Sequence, residues 1–134
     1  MKKVLFVCIE NSCRSQMAEG FAKHLGKGII EAYSAGSKPS GKVNPIAIEV
    51  MKEKGIDISL YKSKGFYDLP IQDFDYSVTL GCKDICPFAP ADTHIEWAIP
   101  DPKGREKEFF SKIASIIESK IMTLIKEIKD GKTF

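Results

Sequence analysis

Residues 8–15, CIENSCRS, place a thiol, a guanidinium and a hydroxyl within eight positions near the start of the chain. Cys8 ends an apolar run that predicts a buried strand, and Arg14 and Ser15 open a segment that predicts a helix. A helix N-terminus carries a partial positive charge, which stabilises a nearby thiolate. The guanidinium of Arg14 has paired donors that match two oxygens of an oxyanion. The pattern therefore predicts that Cys8 attacks a bound tetrahedral oxyanion, with Ser15 donating its hydroxyl to the thiolate.

The loop between strand and helix is predicted to bind that anion through its backbone amides, which can form a concave nest. A carboxylate is unwelcome beside an anion, so we expect Glu10 to point to solvent or to cap an amide. Two roles for Cys13 stay open from the sequence. It is either a small residue packed at the start of the helix or a second thiol of the site. The alternative for Cys8 is a buried structural cysteine, but the spacing to Arg14 and the serine after it favour chemistry. The predicted substrate-binding residues are Ile9, Glu10, Asn11, Ser12, Cys13 and Arg14.

A second pair of cysteines, Cys82 and Cys86, follows the third predicted strand. At this spacing they can form a disulfide only if the turn that carries them is flexible. The alternatives are two buried loop cysteines or a zinc site formed by the four cysteines. Arg14 would repel a dication, and we expect no metal and no cofactor. Asp101 precedes a proline, a common place for a turn residue.

The order of the predicted elements indicates an α/β fold, a three-layer sandwich around a central parallel sheet of four strands. We expect one domain over residues 1–134. In such sheets ligands lie at the carboxyl ends of the strands, where Cys8 and the loop opening at Gly81 both fall. The predicted strands are 3–8, 28–34, 74–80 and 94–99, and the predicted helices are 14–25, 44–55 and 104–129.

Composition excludes several classes of function. The 134 residues carry a net charge of +2, which gives no support for nucleic-acid binding. No apolar run is long enough to span a membrane or to form the core of a signal peptide. We therefore expect a cytoplasmic monomer in which the four cysteines are catalytic or redox-active rather than structural.

The spacing C-x5-R-S after an N-terminal strand resembles the low-molecular-weight protein tyrosine phosphatase family. The longer string NSCRSQMAEG is more similar to the thioredoxin-coupled arsenate reductases built on that fold. The resemblance implies that Cys8 attacks arsenate, that Asp101 protonates the departing oxygen, and that Cys82 resolves the adduct. Cys86 would then pass the disulfide to thioredoxin, and phosphate or sulfate would mimic the substrate. Further matching segments are 33–36, 43–45, 47–49, 51–53, 57–59, 78–80, 86–87, 96–97 and 101–102.

Two other functions stay open from the sequence. One is phosphomonoester hydrolysis, although Lys103 and Gly104 stand where the phosphatases carry an aromatic residue after the Asp-Pro pair. The other is a non-catalytic module that binds oxyanions or senses redox state. The separation of Cys82 and Cys86 is shorter than in well-known thioredoxin-coupled members. A glutaredoxin-like or small thiol donor is therefore the alternative to thioredoxin.

The resemblance also implies a potassium site beside the nucleophile loop in some family members. Asn11, Glu19 and Ser34 match three of its side-chain ligands, but Lys64 stands where an aspartate is expected. An ammonium cannot ligate potassium. We therefore expect Lys64 to occupy the site itself, to pair with Glu19 and to steady Asn11; the alternative is that Lys64 points into water.

Overall fold

A computed structural model describes residues 1–81 and 91–131. These residues form a parallel sheet with the strand order β2-β1-β3-β4, so the predicted α/β fold with four parallel strands is confirmed. Cys82 and Cys86 lie outside the described residues. The elements are β1 (Lys2–Cys8), α1 (Arg14–Leu25), β2 (Ile30–Gly36), α2 (Pro45–Glu53), β3 (Phe74–Leu80), β4 (Ala91–Trp97) and α3 (Lys107–Lys129), with a short 3₁₀ helix at Phe66–Asp68.

The strand β1 runs through the middle of the sheet and carries Cys8 to its carboxyl edge. It pairs with β2 so that Cys8 lies opposite Gly36, and with β3 so that Val7 lies opposite Thr79. Consecutive residues of a strand face opposite sides of the sheet. Phe6 accordingly packs in the cluster that holds the helices, and Val7 in a smaller cluster on the other face. The central position of β1 therefore places Cys8 at the edge where parallel sheets bind ligands.

Several predicted boundaries were wrong, and a turn explains three of them. The strand β2 begins at Ile30 because the amide of Ile30 bonds to the Gly26 carbonyl at 2.8 Å. The strand β4 is Ala91–Trp97 rather than 94–99, since a tight turn from Ile99 N–H to the Trp97 carbonyl ends it. The helix α3 begins at Lys107 because residues 102–105 form a turn first.

The helices otherwise follow their sequence signals. The side chain of Asn44 accepts from the amide of Ile46 at 2.8 Å, which makes Asn44 the N-cap of α2. In α3 the buried face includes Phe110, Ile113 and Ile117, whereas Ile116 is exposed. Within residues 1–81 and 91–131 no helix has the length and apolar character needed to cross a membrane.

Candidate active site

The loop after β1 turns its carbonyl groups away from Cys8. Because a trans peptide unit points its C=O and N–H in opposite directions, the amide after each outward carbonyl faces inward. The structure shows no acceptor among the described residues for the amides of Glu10 to Cys13. The outward carbonyls are those of Ile9, bonded to Lys38 N at 2.8 Å, Glu10, bonded to Ser40 N at 3.1 Å, Asn11, bonded to Gln16 Nε2 at 3.1 Å, and Ser12, bonded to Asn44 N at 3.0 Å.

The inward amides meet the N-terminus of α1, where the first turn has its own unpaired N–H groups. Asn11 has φ of +50° and so allows the loop to curl into this shape. Gly36, opposite the loop, lets β2 approach closely, since a Cβ there would lie 2.6 Å from the carbonyl oxygen of Ile9. The predicted concave set of donors is therefore present above Cys8 and suits an anion.

The thiol of Cys8 is held by a short chain of polar side chains. Its Sγ lies 2.8 Å from Ser15 Oγ, which in turn accepts from Asn11 Nδ2 at 2.8 Å. Asn11 Oδ1 accepts from Gln16 Nε2 at 2.8 Å and from the Lys64 amide at 2.9 Å, which fixes the orientation of the Asn11 amide. Either atom of this contact could be the donor, and the Ser15 hydroxyl can donate to the sulfur when Cys8 is a thiolate. The geometry matches the predicted role of Ser15 in stabilising a thiolate.

Arg14 reaches across the pocket to the loop after β4. Its side chain is buried, with Nη1 donating to the Ile99 carbonyl at 2.9 Å and Nη2 lying 3.6 Å from Asp101 Oδ2. These contacts bring Asp101 to the mouth of the pocket, whose lining consists of Cys8, Ile9, Glu10, Ser12, Cys13, Arg14, Asp101 and Lys103. The structure thus joins most of the predicted site residues in one small pocket. Asn11 and Ser15 support it from outside the lining.

Cys13 lines the same pocket but differs from Cys8 chemically. Burial, and then the neighbouring carboxylate of Asp101, raise the pKa of the Cys13 thiol to about 12. The group is therefore a neutral thiol at physiological pH, and a neutral thiol is a poor nucleophile. Of the two readings left open by the sequence, the structure favours a packed residue whose amide, rather than its sulfur, serves the site.

Glu10 differs in part from the expectation. Its side chain is 34% exposed at the edge of the pocket, its carboxylate pairs with Lys103 Nζ at 2.5 Å, and within residues 1–81 and 91–131 it caps no amide. The positive partner explains how a carboxylate is tolerated beside an anion site, because it cancels the repulsion. Nothing in the local sequence of either residue signals a contact across 93 positions.

Gly81 lies close to the Arg14 guanidinium, and a substitution at Gly81 therefore tests the role of Arg14. The φ of Gly81 is +85°, and a Cβ there would lie 2.6 Å from Arg14 Nη1 and 2.6 Å from the Ile99 oxygen. We expect Gly81→Ala to displace the guanidinium and to weaken binding of inorganic phosphate by about tenfold or more, since a hydrogen bond to a charged group is worth about 1.5–3 kcal/mol. Isothermal titration calorimetry measures this affinity.

The control is Gly28→Ala. Gly28 has nearly the same φ, +83°, with nothing within 4 Å of the added Cβ. Left-handed backbone strain lowers the free energy of unfolding by about 1–2 kcal/mol in both variants, but only Gly81→Ala is expected to lose phosphate affinity. Equal phosphate affinity in the two variants would contradict the contact argument.

Lys64 lies where the expected cation would sit. Its Nζ is 3.5 Å from Glu19 Oε1, 3.3 Å from Ser34 Oγ and 3.3 Å from the Lys62 carbonyl. Ser34 also donates to Glu19, whose side chain is only 6% exposed and therefore needs such partners. The ammonium thus pairs with Glu19 and Ser34 as expected, whereas Asn11 is held by the Lys64 backbone amide rather than by the ammonium.

We expect the melting temperature of the unmodified protein to be indifferent to potassium, because Lys64 already supplies the cation. Lys64→Asp should create a response, with potassium raising the melting temperature above its value in sodium at constant ionic strength. Lys64→Met is the control, since it removes the charge without adding a ligand. It should melt a few degrees lower, at about 1 kcal/mol of lost stability, in either salt. A clear potassium effect on the unmodified protein would contradict the assignment.

Three contributors to the site were missed from the sequence. Gln16 orients Asn11, Lys103 pairs with Glu10, and the carbonyl of Ile99 positions Arg14. Gln16 carried a usable signal, because a polar residue in the first turn of a helix packed on the sheet must find partners. Cys82 and Cys86 lie outside the described residues, so their roles stay predictions.

Known proteins are similar to this chain over most of its length. Residues 3–133 match the family described as low molecular weight phosphotyrosine protein phosphatase. A protein of Synechocystis named glutaredoxin arsenate reductase is 41% identical over 96% of this chain and 99% of its own length. An arsenate reductase of Staphylococcus aureus is 42% identical over 87% of this chain and 91% of its own length.

Solved structures give the same result. A structure described as an arsenate reductase in the phosphate binding state superposes with a TM-score of 0.85 at 41% identity, over 96% of this chain and 99% of that one. A low molecular weight protein tyrosine phosphatase from T. tengcongensis superposes with a TM-score of 0.80 at 32% identity, over 95% of this chain and 99% of that one. The chain belongs to the low molecular weight phosphotyrosine protein phosphatase family.

Proposed function

We propose that this protein reduces arsenate to arsenite with Cys8 as the nucleophile. The observation that carries the proposal is the Cys8 sulfur, 2.8 Å from the Ser15 hydroxyl, at the base of an oxyanion pocket that Arg14 completes. Relatives at 41% and 42% identity that bear the name arsenate reductase support arsenate as the anion. No cofactor is needed for the two electrons, because two thiols that become a disulfide supply them.

The first step forms a sulfur–arsenic bond. The Cys8 thiolate attacks As(V), and one arsenate oxygen leaves as water after taking a proton from Asp101. The ion pair between Arg14 and Asp101, at 3.6 Å, prepares this step. An arriving dianion competes with Asp101 for the guanidinium, and Asp101 stays in the pocket lining beside the bound anion. The loop amides and Arg14 hold the remaining oxygens.

The second step reduces arsenic. A Cys82 thiolate attacks the sulfur of Cys8, the S–S bond forms, and the electron pair of the S–As bond stays on arsenic, which leaves as arsenite. Cys86 then attacks Cys82, which releases the Cys8 thiolate and gives a Cys82–Cys86 disulfide. We propose thioredoxin as the dithiol that reduces this disulfide. The name of the Synechocystis relative makes glutaredoxin the second candidate.

The alternative function is phosphomonoester hydrolysis, which the family assignment favours. It would use Cys8, Arg14 and Asp101 but no second thiol. A non-catalytic oxyanion-binding or redox-sensing module would bind phosphate and form disulfides without turnover. The three functions therefore differ in the reagent that the protein consumes.

One paired assay tests the proposal. Reduced thioredoxin, or glutathione with glutaredoxin, is supplied with arsenate, and donor oxidation is followed beside the hydrolysis of p-nitrophenyl phosphate. We expect arsenate-dependent oxidation of a donor at many turnovers per chain and much slower hydrolysis. Hydrolysis without any arsenate-dependent thiol oxidation would establish the phosphatase instead. If the protein shows neither activity, the non-catalytic binding module is the remaining function.

A further inference from the structure

Two ion pairs join the nucleophile loop to the loop after β4 at the pocket. Arg14 lies 3.6 Å from Asp101, and Glu10 lies 2.5 Å from Lys103. The Lys103 amide donates to Asp101 Oδ1 at 3.0 Å, which ties the two pairs to one turn. All four side chains line the same pocket. The Arg14 pair has a role in the proposed chemistry, whereas the Glu10 pair has none.

The Glu10–Lys103 pair lies at the outer rim of the pocket. Cys8 and Arg14 are 3% and 4% exposed, whereas the side chains of Glu10 and Lys103 are 34% and 57% exposed. The backbone of Glu10 is fixed, because its carbonyl accepts from Ser63 Oγ at 2.8 Å and from the Ser40 amide. The carboxylate is thus anchored on one side of the opening and the ammonium crosses to it from the other.

The position of the pair affects large and small ligands differently. A free tetrahedral oxyanion bound by the loop amides fits inside the rim. An aryl phosphomonoester with its phosphorus over Cys8 must pass its ring outward through the opening, where the pair lies. Lys103 also cancels the charge of Glu10, and hydrogen bonding to Glu10 raises the pKa of the Lys103 ammonium, so the lysine stays charged.

We propose that the Glu10–Lys103 pair is the specificity-determining gate of this pocket, which admits free tetrahedral oxyanions and hinders aryl phosphomonoesters. The proposal rests on the proposed function in taking Cys8 as the nucleophile and an inorganic oxyanion as its substrate. Neither residue is catalytic here. Together they set the width of the opening above the reacting sulfur.

Alkylation of Cys8 measures how easily reagents of different size pass the pocket opening, and it does not require catalytic turnover. Iodoacetamide serves as the small reagent and N-phenylmaleimide as the aryl reagent, and peptide mapping follows Cys8 separately from the other cysteines. We expect Glu10→Lys and Lys103→Glu each to raise the ratio of aryl to small reactivity by about two- to fivefold, because an exposed ion pair closes the opening only weakly. The double variant Glu10→Lys/Lys103→Glu restores an ion pair and should return the ratio to its original value.

The affinity for inorganic phosphate is a second readout. It depends on the charge at the pocket opening rather than on the width of that opening. We expect tighter binding in Glu10→Lys and weaker binding in Lys103→Glu, although both open the gate. Lys107→Glu is the matched control, since it breaks an equally exposed pair with Glu49 and Glu53 away from the pocket. It should change neither readout.

The proposal is overturned if both single variants leave the alkylation ratio within about 1.5-fold of the original, or if the charge swap fails to restore it. The second outcome would assign the effect to the separate side chains rather than to their pairing. Failure of the proposed function is a different result, namely no arsenate-dependent oxidation of any donor by the unmodified protein. It leaves the alkylation ratio intact, because alkylation needs only the thiol and its surroundings.

Discussion

Replacing Cys8 by serine is expected to abolish arsenate reduction and any hydrolysis of aryl phosphates. Both reactions begin with attack by the Cys8 sulfur, and the neighbouring Ser15 hydroxyl, 2.8 Å away, is not a base that could activate a serine. We expect a loss on the order of 10⁴-fold or more, as found when a catalytic nucleophile is removed. Donor oxidation and p-nitrophenol release measure the two activities on the same preparation.

The control for this variant is Cys13→Ser. It removes a thiol from the same pocket, but a thiol that burial keeps protonated, with a pKa of about 12. We expect a loss of less than about tenfold, because the loop amide is retained. Hydrolysis that persists in Cys8→Ser, or that disappears in Cys13→Ser, would contradict the choice of nucleophile.

Replacing Arg14 by lysine should lower kcat/KM for arsenate by about 10²–10³-fold, the range seen when one donor to a developing oxyanion is lost. The guanidinium bonds the Ile99 carbonyl through Nη1 and lies 3.6 Å from Asp101 through Nη2, and the Arg14 side chain lines the pocket. A single ammonium cannot make these contacts together. Steady-state kinetics and phosphate affinity both report the loss.

Arg105→Lys is the control for charge alone. Arg105 is exposed, lies over the ring of Phe109 and pairs with Glu106 outside the pocket lining. We expect kcat/KM to change by less than about twofold. An Arg14→Lys variant that keeps more than a tenth of the original kcat/KM would show that the fork geometry is not required.

The parts of the site that follow one another along the chain could be predicted from the sequence. The apolar run before Cys8 predicts the strand, and the loop and helix that follow it bring Arg14 and Ser15 back toward the thiol. The pair Asn44-Pro45 marks a helix start because its side-chain acceptor and fixed φ both suit that position. Such signals are local, since a few neighbouring residues decide them.

Contacts between distant segments could not be predicted in the same way. The pairing of Glu10 with Lys103 and the bond from Arg14 to Ile99 join residues 93 and 85 positions apart. They depend on the ends of β1 and β4 in a sheet with β3 between them, and on the turn that stops β4 at Trp97. A pattern of apolar residues predicts a strand but leaves its register and its last residue open within a few positions. The role of Lys64 was predicted only through the family resemblance, because its contacts with Glu19 and Ser34 also join distant segments of the chain.

The thiol relay is tested most directly by a single-turnover experiment on the Cys86→Ser variant. The reduced variant is mixed with excess arsenate without an external thiol, arsenite is quantified, and the quenched protein is mapped for disulfide-linked peptides. The account predicts about one arsenite per chain and a Cys8–Cys82 disulfide, whereas Cys82→Ser should form no such disulfide yet keep any aryl-phosphate hydrolysis. Sustained donor-dependent turnover without Cys86, or arsenite release with no disulfide that contains Cys8, would contradict the relay.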